Sequence, residues 1–143
     1  MTKGIYVLVI LVEEDVRINV GALGGIDFAK GIYAYVGSAQ SGLEKRVERH
    51  FRKGKRKFWH IDYLLDDDSV KILKVFDKEA VKTEECRAAK KFSQKGFPVD
   101  GFGSSDCKCV SHLFKLRSYQ ILEELMRKTR LQSEYLFWRV INQ

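Results

Sequence analysis

Apolar residues fill both faces of the first predicted strand. Residues 4–12 are almost continuously apolar and rich in β-branched side chains, a pattern typical of a strand that is covered on both sides. Residues 16–23 and 31–37 are also strand-like, and glycines mark the turns between them. The opening of the chain therefore predicts a small, largely antiparallel sheet.

The next segment has the periodicity of an amphipathic helix. Ser41 and Glu44 fit a capping box, which predicts a helix that begins near Ser41. Arg46 and His50 lie at the edge of its apolar stripe, so they should point into the groove between helix and sheet. The predicted buried stripe consists of Leu43, Val47 and Phe51.

The second half of the chain alternates strands and helices. The predicted elements are a short helix or strand at 59–66, a strand at 70–76, a helix at 83–95, a loop at 101–105, a strand at 110–116 and a long helix at 119–142. Residues 135–141 are apolar almost all round, which predicts burial within the domain or in a homodimer. We expect a single α+β domain over 1–143, in which a small mixed, largely antiparallel sheet is flanked by helices and the core covers about 4–116.

Positive charge is concentrated in one segment. The chain has a net charge of +7, and residues 44–58 contribute +6 of it. Such a patch is expected for a polyanion partner, above all nucleic acid, although a solvated basic helix that aids solubility would look the same. Besides Arg46, the candidate nucleic-acid-binding residues are Lys45, Arg49, Arg52, Lys53, Lys55, Arg56 and Lys57.

Several protein classes are disfavoured by the sequence. The longest apolar run, at residues 5–12, is far shorter than the ~20 residues needed to span a bilayer, and no secretory signal precedes it. Three cysteines are too few for a secreted disulfide framework, and their number is odd. We therefore expect a cytoplasmic protein that has no membrane partner.

A set of motifs is shared with a known family. Gly4-Ile5-Tyr6 and Tyr35-Val36-Gly37 precede Arg46, His50 and a downstream acidic helix. Together with residues 31–39, 46–50, 59–64 and 101–107, this set resembles the GIY-YIG nuclease superfamily. The resemblance is closest to a branch that is described as a domain of unknown function and is sometimes fused to endonuclease III. It covers about residues 4–116 and implies a small sheet flanked by helices.

The resemblance implies metal-dependent cleavage of phosphodiester bonds in DNA. Tyr6 would activate a water molecule, either as general base or together with a metal-bound hydroxide, and Tyr35 would position that water or a phosphate oxygen. Arg46 would neutralise charge on the phosphate. His50 would orient or assist. Glu85 would hold Mg²⁺ or Mn²⁺, since such hard cations prefer carboxylate oxygen.

Some assignments stay open at this stage. An extra strand and loop separate Tyr6 from Tyr35, so Tyr33 competes with Tyr6 for the role of the first tyrosine. Glu84 competes with Glu85 as the metal ligand. The alternatives to a nuclease are a nucleic-acid-binding module of the same fold without catalysis, and an interaction domain that uses the apolar C-terminal helix.

Zinc is not expected from the sequence. Cys107, Cys109 and His112 could form part of a zinc site with Cys86, but the spacing is C-x-C rather than the commoner C-x₂-C, and the ligands would have to meet across the fold. Buried thiols are favoured, with a Cys86–Cys107 disulfide as the lesser alternative.

Overall fold

A computed structural model describes residues 3–131 of the protein. The strands are β1 (Gly4–Val12), β2 (Val16–Asn19), β3 (Gly25–Phe28), β4 (Gly31–Ala39), β5 (Val70–Glu79), β6 (Phe97–Pro98) and β7 (Leu113–Leu116). The helices are α1 (Leu43–Phe51), α2 (His60–Leu65), α3 (Thr83–Lys95) and α4 (Tyr119–Thr129). Five strands form one antiparallel sheet in the order β5-β1-β4-β7-β6, and β2 and β3 form a separate hairpin. The α+β prediction is confirmed.

Helices cover both faces of the main sheet. On one face, α1, α2 and the β2–β3 hairpin pack over alternate residues of β1, including Tyr6, Leu8 and Ile10. On the other face, α3 and α4 pack over the intervening residues, including Ile5 and Val7. Strand β1 is consequently buried on both sides, as its continuous apolar sequence predicts.

A close approach between two strands fixes the position of one tyrosine. Tyr6 of β1 is paired with Gly37 of β4, and its ring crosses the glycine so closely that a Cβ atom at position 37 would overlap it. The Tyr6 ring can therefore occupy this position above the sheet because the last residue of the Tyr-Val-Gly motif has no side chain.

The start of α1 differs from the prediction. The helix begins at Leu43 with Gly42 as N-cap, and no side chain caps it. Ser41 instead lines the cleft described below, so the predicted capping box with Glu44 is wrong. The apolar stripe is confirmed, because Leu43 and Val47 are buried and Phe51 packs against the same core.

Other boundaries follow the sequence to different degrees. Helix α3 has the predicted bounds. The predicted strand at 16–23 ends at Asn19, because Gly21 adopts a left-handed conformation and opens a 3₁₀ turn that leads into β3. The strand predicted at 110–116 begins only at Leu113.

The last described helix is shorter than the segment predicted for it. Helix α4 ends at Thr129, where Arg130 adopts a left-handed conformation at the C-cap. The apolar segment at 135–141, expected in the core or in a homodimer, lies outside the described residues. Within residues 3–131, no helix has the length and apolar character required to cross a bilayer.

Candidate active site

A cleft of about 520 Å³ opens at the end of the sheet where β1 begins and β4 ends. Four residues that were named as candidates from the sequence line this cleft. They come from four different elements: Tyr6 from β1, Tyr35 from β4, Arg46 from α1 and Glu85 from α3. The N-terminal end of α2 and the loop over 103–106 complete its walls. The fold thus brings together side chains that are far apart in sequence.

Tyr6 contacts the cleft from a nearly buried position. Its hydroxyl group lies 2.7 Å from Nε2 of His50, and only 2% of the residue is exposed. Burial raises the pKa of Tyr6 well above its usual value, although Arg46 acts in the opposite direction. At neutral pH the phenol is therefore protonated in the free protein.

His50 lies behind Tyr6 and is not among the residues that line the cleft. Burial lowers its pKa to about 3, so the imidazole is neutral at physiological pH. Its Nδ1 atom is buried and has no hydrogen-bond partner among residues 3–131. A buried N–H without a partner is less tolerated than a buried lone pair. We therefore assign the proton to Nε2, from which it is donated to the Tyr6 oxygen.

The two remaining tyrosines of this region have different surroundings. Tyr35 lines the cleft and packs against Phe102, and burial raises the pKa of its hydroxyl group well above the usual value. The hydroxyl group of Tyr33 donates a hydrogen bond to the carbonyl oxygen of Ala29 at 2.7 Å, and Tyr33 does not line the cleft. Geometry therefore favours Tyr6 over Tyr33 as the first tyrosine of the site.

Arg46 supplies positive charge to the cleft. Its Nη1 donates to the carbonyl oxygen of Ser38 at 3.0 Å, and its Cζ lies 4.5 Å from the ring centroid of Trp59. Both contacts restrict the side chain while the guanidinium keeps donors for a ligand. A phosphate group in the cleft would meet a positioned cation.

Arg49 has a structural role that the sequence did not reveal. Its guanidinium binds both carboxylate oxygens of Asp62, at 2.8 and 2.9 Å, and Asp62 also accepts hydrogen bonds from the backbone N–H groups of Phe58 and Trp59. Although burial alone would raise the pKa of Asp62, these hydrogen bonds hold it below its usual range. The ion pair fixes the turn that presents Phe58 and Trp59 at the cleft.

The other basic side chains divide into two groups. Lys53 and Lys55 donate to backbone carbonyl oxygens, and Lys57 pairs with Asp66 at 3.2 Å. In residues 44–58, the exposed basic side chains with neither an ion pair nor a side-chain hydrogen bond to residues 3–131 are Lys45, Arg52 and Arg56. Fewer side chains are therefore free for phosphate than the charge count suggests.

Glu85 is the glutamate that reaches the cleft. Its Oε2 lies 3.2 Å from Nδ1 of His112, whereas Glu84 pairs with Arg87 at 2.8 Å and does not line the cleft. Asp106 is a second carboxylate on the cleft wall, and its Oδ2 lies 3.9 Å from Nζ of Lys82. Carboxylate oxygens are the donors that a hard divalent cation binds, so Glu85 and Asp106 are the residues of this wall that could hold such an ion.

One feature of the site was missed from the sequence, and a second, the meeting of four possible zinc ligands, was considered but not expected. The aromatic side chains of Phe58 and Trp59 line the cleft, and Phe58 is 67% exposed. Beside the cleft, a cluster of sulfur and nitrogen donors gathers Cys86, Cys107, Cys109 and His112. Two aromatic residues directly after the basic residues 55–57 were the available signal for the aromatic pair, whereas the meeting of the four donors depends on tertiary structure.

One family model matches this chain. It is described as "Domain of unknown function DUF123" and covers residues 5–134, which is most of the sequence. No curated protein and no solved structure matches the chain. The matched range includes every residue of the cleft described above.

Proposed function

The chain belongs to the family described as domain of unknown function DUF123, and on that premise we propose that it is a GIY-YIG-like, metal-dependent nuclease that cleaves phosphodiester bonds in DNA. The observation that supports this proposal most strongly is the convergence of Tyr6, Tyr35, Arg46 and Glu85 in one cleft. Hydrolysis of a phosphodiester gains chiefly from positioning and charge neutralisation, and these residue types supply both.

Tyr6 is the residue proposed to activate the attacking water. With Nε2 of His50 donating to its oxygen, the hydroxyl proton of Tyr6 is free to point into the cleft. Transfer of that proton to solvent leaves a phenolate that the Nε2–H group and the nearby Arg46 guanidinium stabilise. The phenolate would then accept a proton from the attacking water, which restores the phenol. His50 therefore acts as a hydrogen-bond donor to Tyr6, since its low pKa makes it a poor base.

Arg46 and Tyr35 are proposed to hold the phosphate. The guanidinium, fixed by Ser38 and Trp59, would donate to a nonbridging oxygen and offset charge that develops as water attacks phosphorus. The hydroxyl group of Tyr35 would remain protonated and donate a second hydrogen bond to the phosphate or to the water. As the bond between phosphorus and the leaving sugar oxygen breaks, these donors stay in place and the leaving oxygen takes up a proton from solvent.

Glu85 is proposed to hold Mg²⁺ or Mn²⁺, with Asp106 on the same wall. When bound, the ion would supply positive charge to the phosphate and leaving oxygen. Because Nδ1 of His112 contacts Oε2, the carboxylate of Glu85 is oriented before any ion arrives.

The surface around the cleft supports nucleic acid as the substrate. Phe58 offers an exposed ring on the cleft wall, and Cζ of the exposed Arg56 lies 5.5 Å from its centroid. Lys45 and Arg52 are exposed cations of the same basic segment. Cations that track a backbone beside an aromatic ring that can stack on a base are typical of nucleic-acid-binding surfaces. A binding module without catalysis would use the same surface.

Cleavage of linear, nicked and branched DNA, with and without Mg²⁺ or Mn²⁺, tests this proposal. We expect cleavage that requires a divalent ion and that falls about 10²–10³-fold in Arg46→Ala, the scale for loss of one positioned charge stabiliser. Arg17→Ala is the matched control, because Arg17 pairs with Asp27 on the β2–β3 hairpin and does not line the cleft. DNA binding without cleavage under every condition would instead favour the binding module.

A further inference from the structure

The geometry points to a structural zinc site formed by Cys86, Cys107, Cys109 and His112, whose histidine orients the carboxylate of Glu85 in the cleft. The four donor atoms all lie within 4.8 Å of one another, and the three cysteines are free thiols. The zinc assignment depends only on this cluster. The second part, the orientation of Glu85 for catalysis, rests on the proposed nuclease function.

The distances fit a tetrahedral ion after a small contraction. Nε2 of His112 lies 3.4 Å from Sγ of Cys107 and 4.0 Å from Sγ of Cys86. Around a tetrahedral zinc ion, nitrogen and sulfur ligands are separated by about 3.6 Å and two sulfur ligands by about 3.8 Å. The two nitrogen–sulfur distances lie on either side of the expected value, and the other pairs, all within 4.8 Å, would contract by about 1 Å at most.

The donor set selects zinc over the ions proposed for the cleft. Three thiolates and one imidazole form a closed tetrahedral set that is typical of structural zinc. Magnesium and manganese prefer oxygen ligands, so they would bind the carboxylate wall in preference to this cluster. The protein would therefore hold two metal ions of different chemistry at neighbouring positions.

The histidine has the outer contacts expected of a zinc ligand. Nε2 of His112 faces the sulfur atoms, while Nδ1 lies 3.2 Å from Oε2 of Glu85 and 3.3 Å from the carbonyl oxygen of Val36. With zinc on Nε2, the proton of the neutral ring is on Nδ1 and is donated to these oxygens. A carboxylate that accepts from a metal-bound histidine is a recurrent arrangement, and it orients the ligand and carboxylate alike.

The site would also hold the irregular segment that forms one wall of the cleft. Residues 99–112 connect β6 to β7 without a helix or strand, and this segment supplies three of the four ligands. The fourth, Cys86, lies in the first half of α3 next to Glu85. Zinc would thus tie the loop that carries Gly103 and Asp106 to the helix that carries Glu85.

Metal analysis of the full-length chain tests the zinc assignment. The purified protein, or protein stripped with a chelator and titrated with zinc, should bind about one zinc ion per chain. Cobalt(II) in its place should show the intense visible absorption and thiolate charge-transfer bands of a tetrahedral thiolate site. Cys109→Ser should lose stoichiometric zinc, whereas Cys109→His, which preserves a ligand, should retain it. Lys108→Ala, between two of the cysteines, is the matched control.

Two results would overturn the assignment. The first is wild-type protein that binds no zinc after stripping and titration, or that carries an iron–sulfur cluster instead. The second is stoichiometric zinc in both Cys107→Ser and Cys109→Ser. Because the wild-type measurement needs no variant, the test holds even where a serine variant does not fold.

The link to Glu85 is tested by two variants. His112→Cys can complete a four-cysteine zinc site but removes the N–H group that faces Glu85. It should keep zinc and thermal stability while raising the Mg²⁺ concentration for half-maximal cleavage about 10-fold or more. Glu85→Ala should weaken zinc binding about 10–100-fold, a result that can be measured without any cleavage. Unchanged zinc affinity in Glu85→Ala, or unchanged Mg²⁺ dependence in His112→Cys, would refute the link.

The zinc and nuclease results can be separated. Zinc bound as described by a protein that never cleaves DNA would support the metal site and refute the nuclease. Cleavage of DNA by a protein that binds no zinc would support the nuclease and refute the metal site.

Discussion

The hydroxyl group of Tyr6 lies 2.7 Å from Nε2 of His50, and each residue is only 2% exposed. Burial lowers the pKa of His50 to about 3, against an ordinary value of 6.5. The folded protein therefore favours the neutral imidazole, whereas the unfolded chain takes up a proton as the pH falls below 6.5. Above pH 6.5, the titration of His50 leaves the free energy of unfolding unchanged. Between pH 6.5 and pH 3, it lowers the free energy of unfolding progressively.

We predict that the free energy of unfolding of the wild type falls between pH 7.5 and pH 5 by about 2 kcal/mol more than that of His50→Gln. Urea unfolding at both pH values measures the difference, and any other titrating group contributes to both proteins alike. His60→Gln is the comparison, because burial lowers the pKa of His60 as well but this residue is only half-buried, so its effect on the pH dependence should be smaller. Equal pH dependence in the wild type and His50→Gln would contradict the buried neutral state.

A substitution at Gly37 tests the position of the Tyr6 ring without removing any functional group. A Cβ atom at position 37 would overlap the Tyr6 ring, so Gly37→Ala should displace the ring from the cleft. We expect the loss of most cleavage, retained DNA binding, and a destabilisation of about 1–3 kcal/mol from overpacking.

The matched control for Gly37→Ala is Gly25→Ala. The added methyl group at position 25 would meet the flexible end of the Arg17 side chain, on the hairpin away from the cleft. It should leave cleavage intact. Cleavage by Gly37→Ala at the wild-type rate would show that the Tyr6 ring position is unimportant for the reaction.

The sequence predicted the regular elements well where one pattern dominated. The amphipathic period of α3 and the apolar run of β1 each define a face, so their positions follow from burial alone. The prediction that Ser41 caps α1 was wrong because a capping box is a purely local pattern. In the structure Gly42 is the N-cap residue and Ser41 lines the cleft. The turn at Gly21 was misassigned for the same reason, since a left-handed residue interrupts an otherwise strand-like segment.

The site was predictable in part. Tyr6, Tyr35, Arg46 and Glu85 were named from motifs, but their common cleft depends on β1, β4, α1 and α3 meeting at one end of the sheet. The ion pair of Arg49 with Asp62 was not predictable, because a basic run gives no sign of which cation is buried. The donors Cys86, Cys107, Cys109 and His112 were named as a possible zinc site but zinc was not expected, because only the folded chain shows that they meet.

Arg49 and Arg52 should behave differently although both belong to the basic segment. Arg49→Ala would leave the buried carboxylate of Asp62 without its partner, which predicts a destabilisation of about 3–5 kcal/mol. Arg52 is exposed, so Arg52→Ala should leave stability unchanged within about 0.5 kcal/mol. Urea unfolding of the two variants measures this contrast, and equal stability would contradict the structural role of Arg49.

Arg52→Ala should instead alter the salt dependence of DNA binding. If Lys45, Arg52 and Arg56 contact phosphates together with Arg46 in the cleft, the plot of log K against log salt concentration should have a slope of about −3.6, and Arg52→Ala should reduce its magnitude by about 0.9. Fluorescence anisotropy over a range of salt concentrations measures both slopes. Binding that does not depend on salt would exclude a phosphate-contacting surface.

Phe58 is predicted to stack on an unpaired base. The ring is 67% exposed on the cleft wall, so Phe58→Ala should leave folding unaffected while weakening binding to single-stranded or branched DNA by about 1–3 kcal/mol. Binding to uninterrupted duplex, whose bases are already stacked, should change less. Phe97→Ala is the control, because Phe97 is 52% exposed on β6 and does not line the cleft. Equal effects on single-stranded and duplex DNA would argue against stacking.

Single-turnover cleavage by Tyr6→Phe and Tyr33→Phe tests the central claim most directly. Each substitution removes one hydroxyl group from a buried ring, but only the Tyr6 hydroxyl belongs to the cleft; that of Tyr33 donates to Ala29. We predict that Tyr6→Phe abolishes the chemical step while DNA binding persists, and that Tyr33→Phe cleaves at nearly the wild-type rate. Cleavage by Tyr6→Phe at the rate of Tyr33→Phe would contradict the assignment of this cleft as the active site.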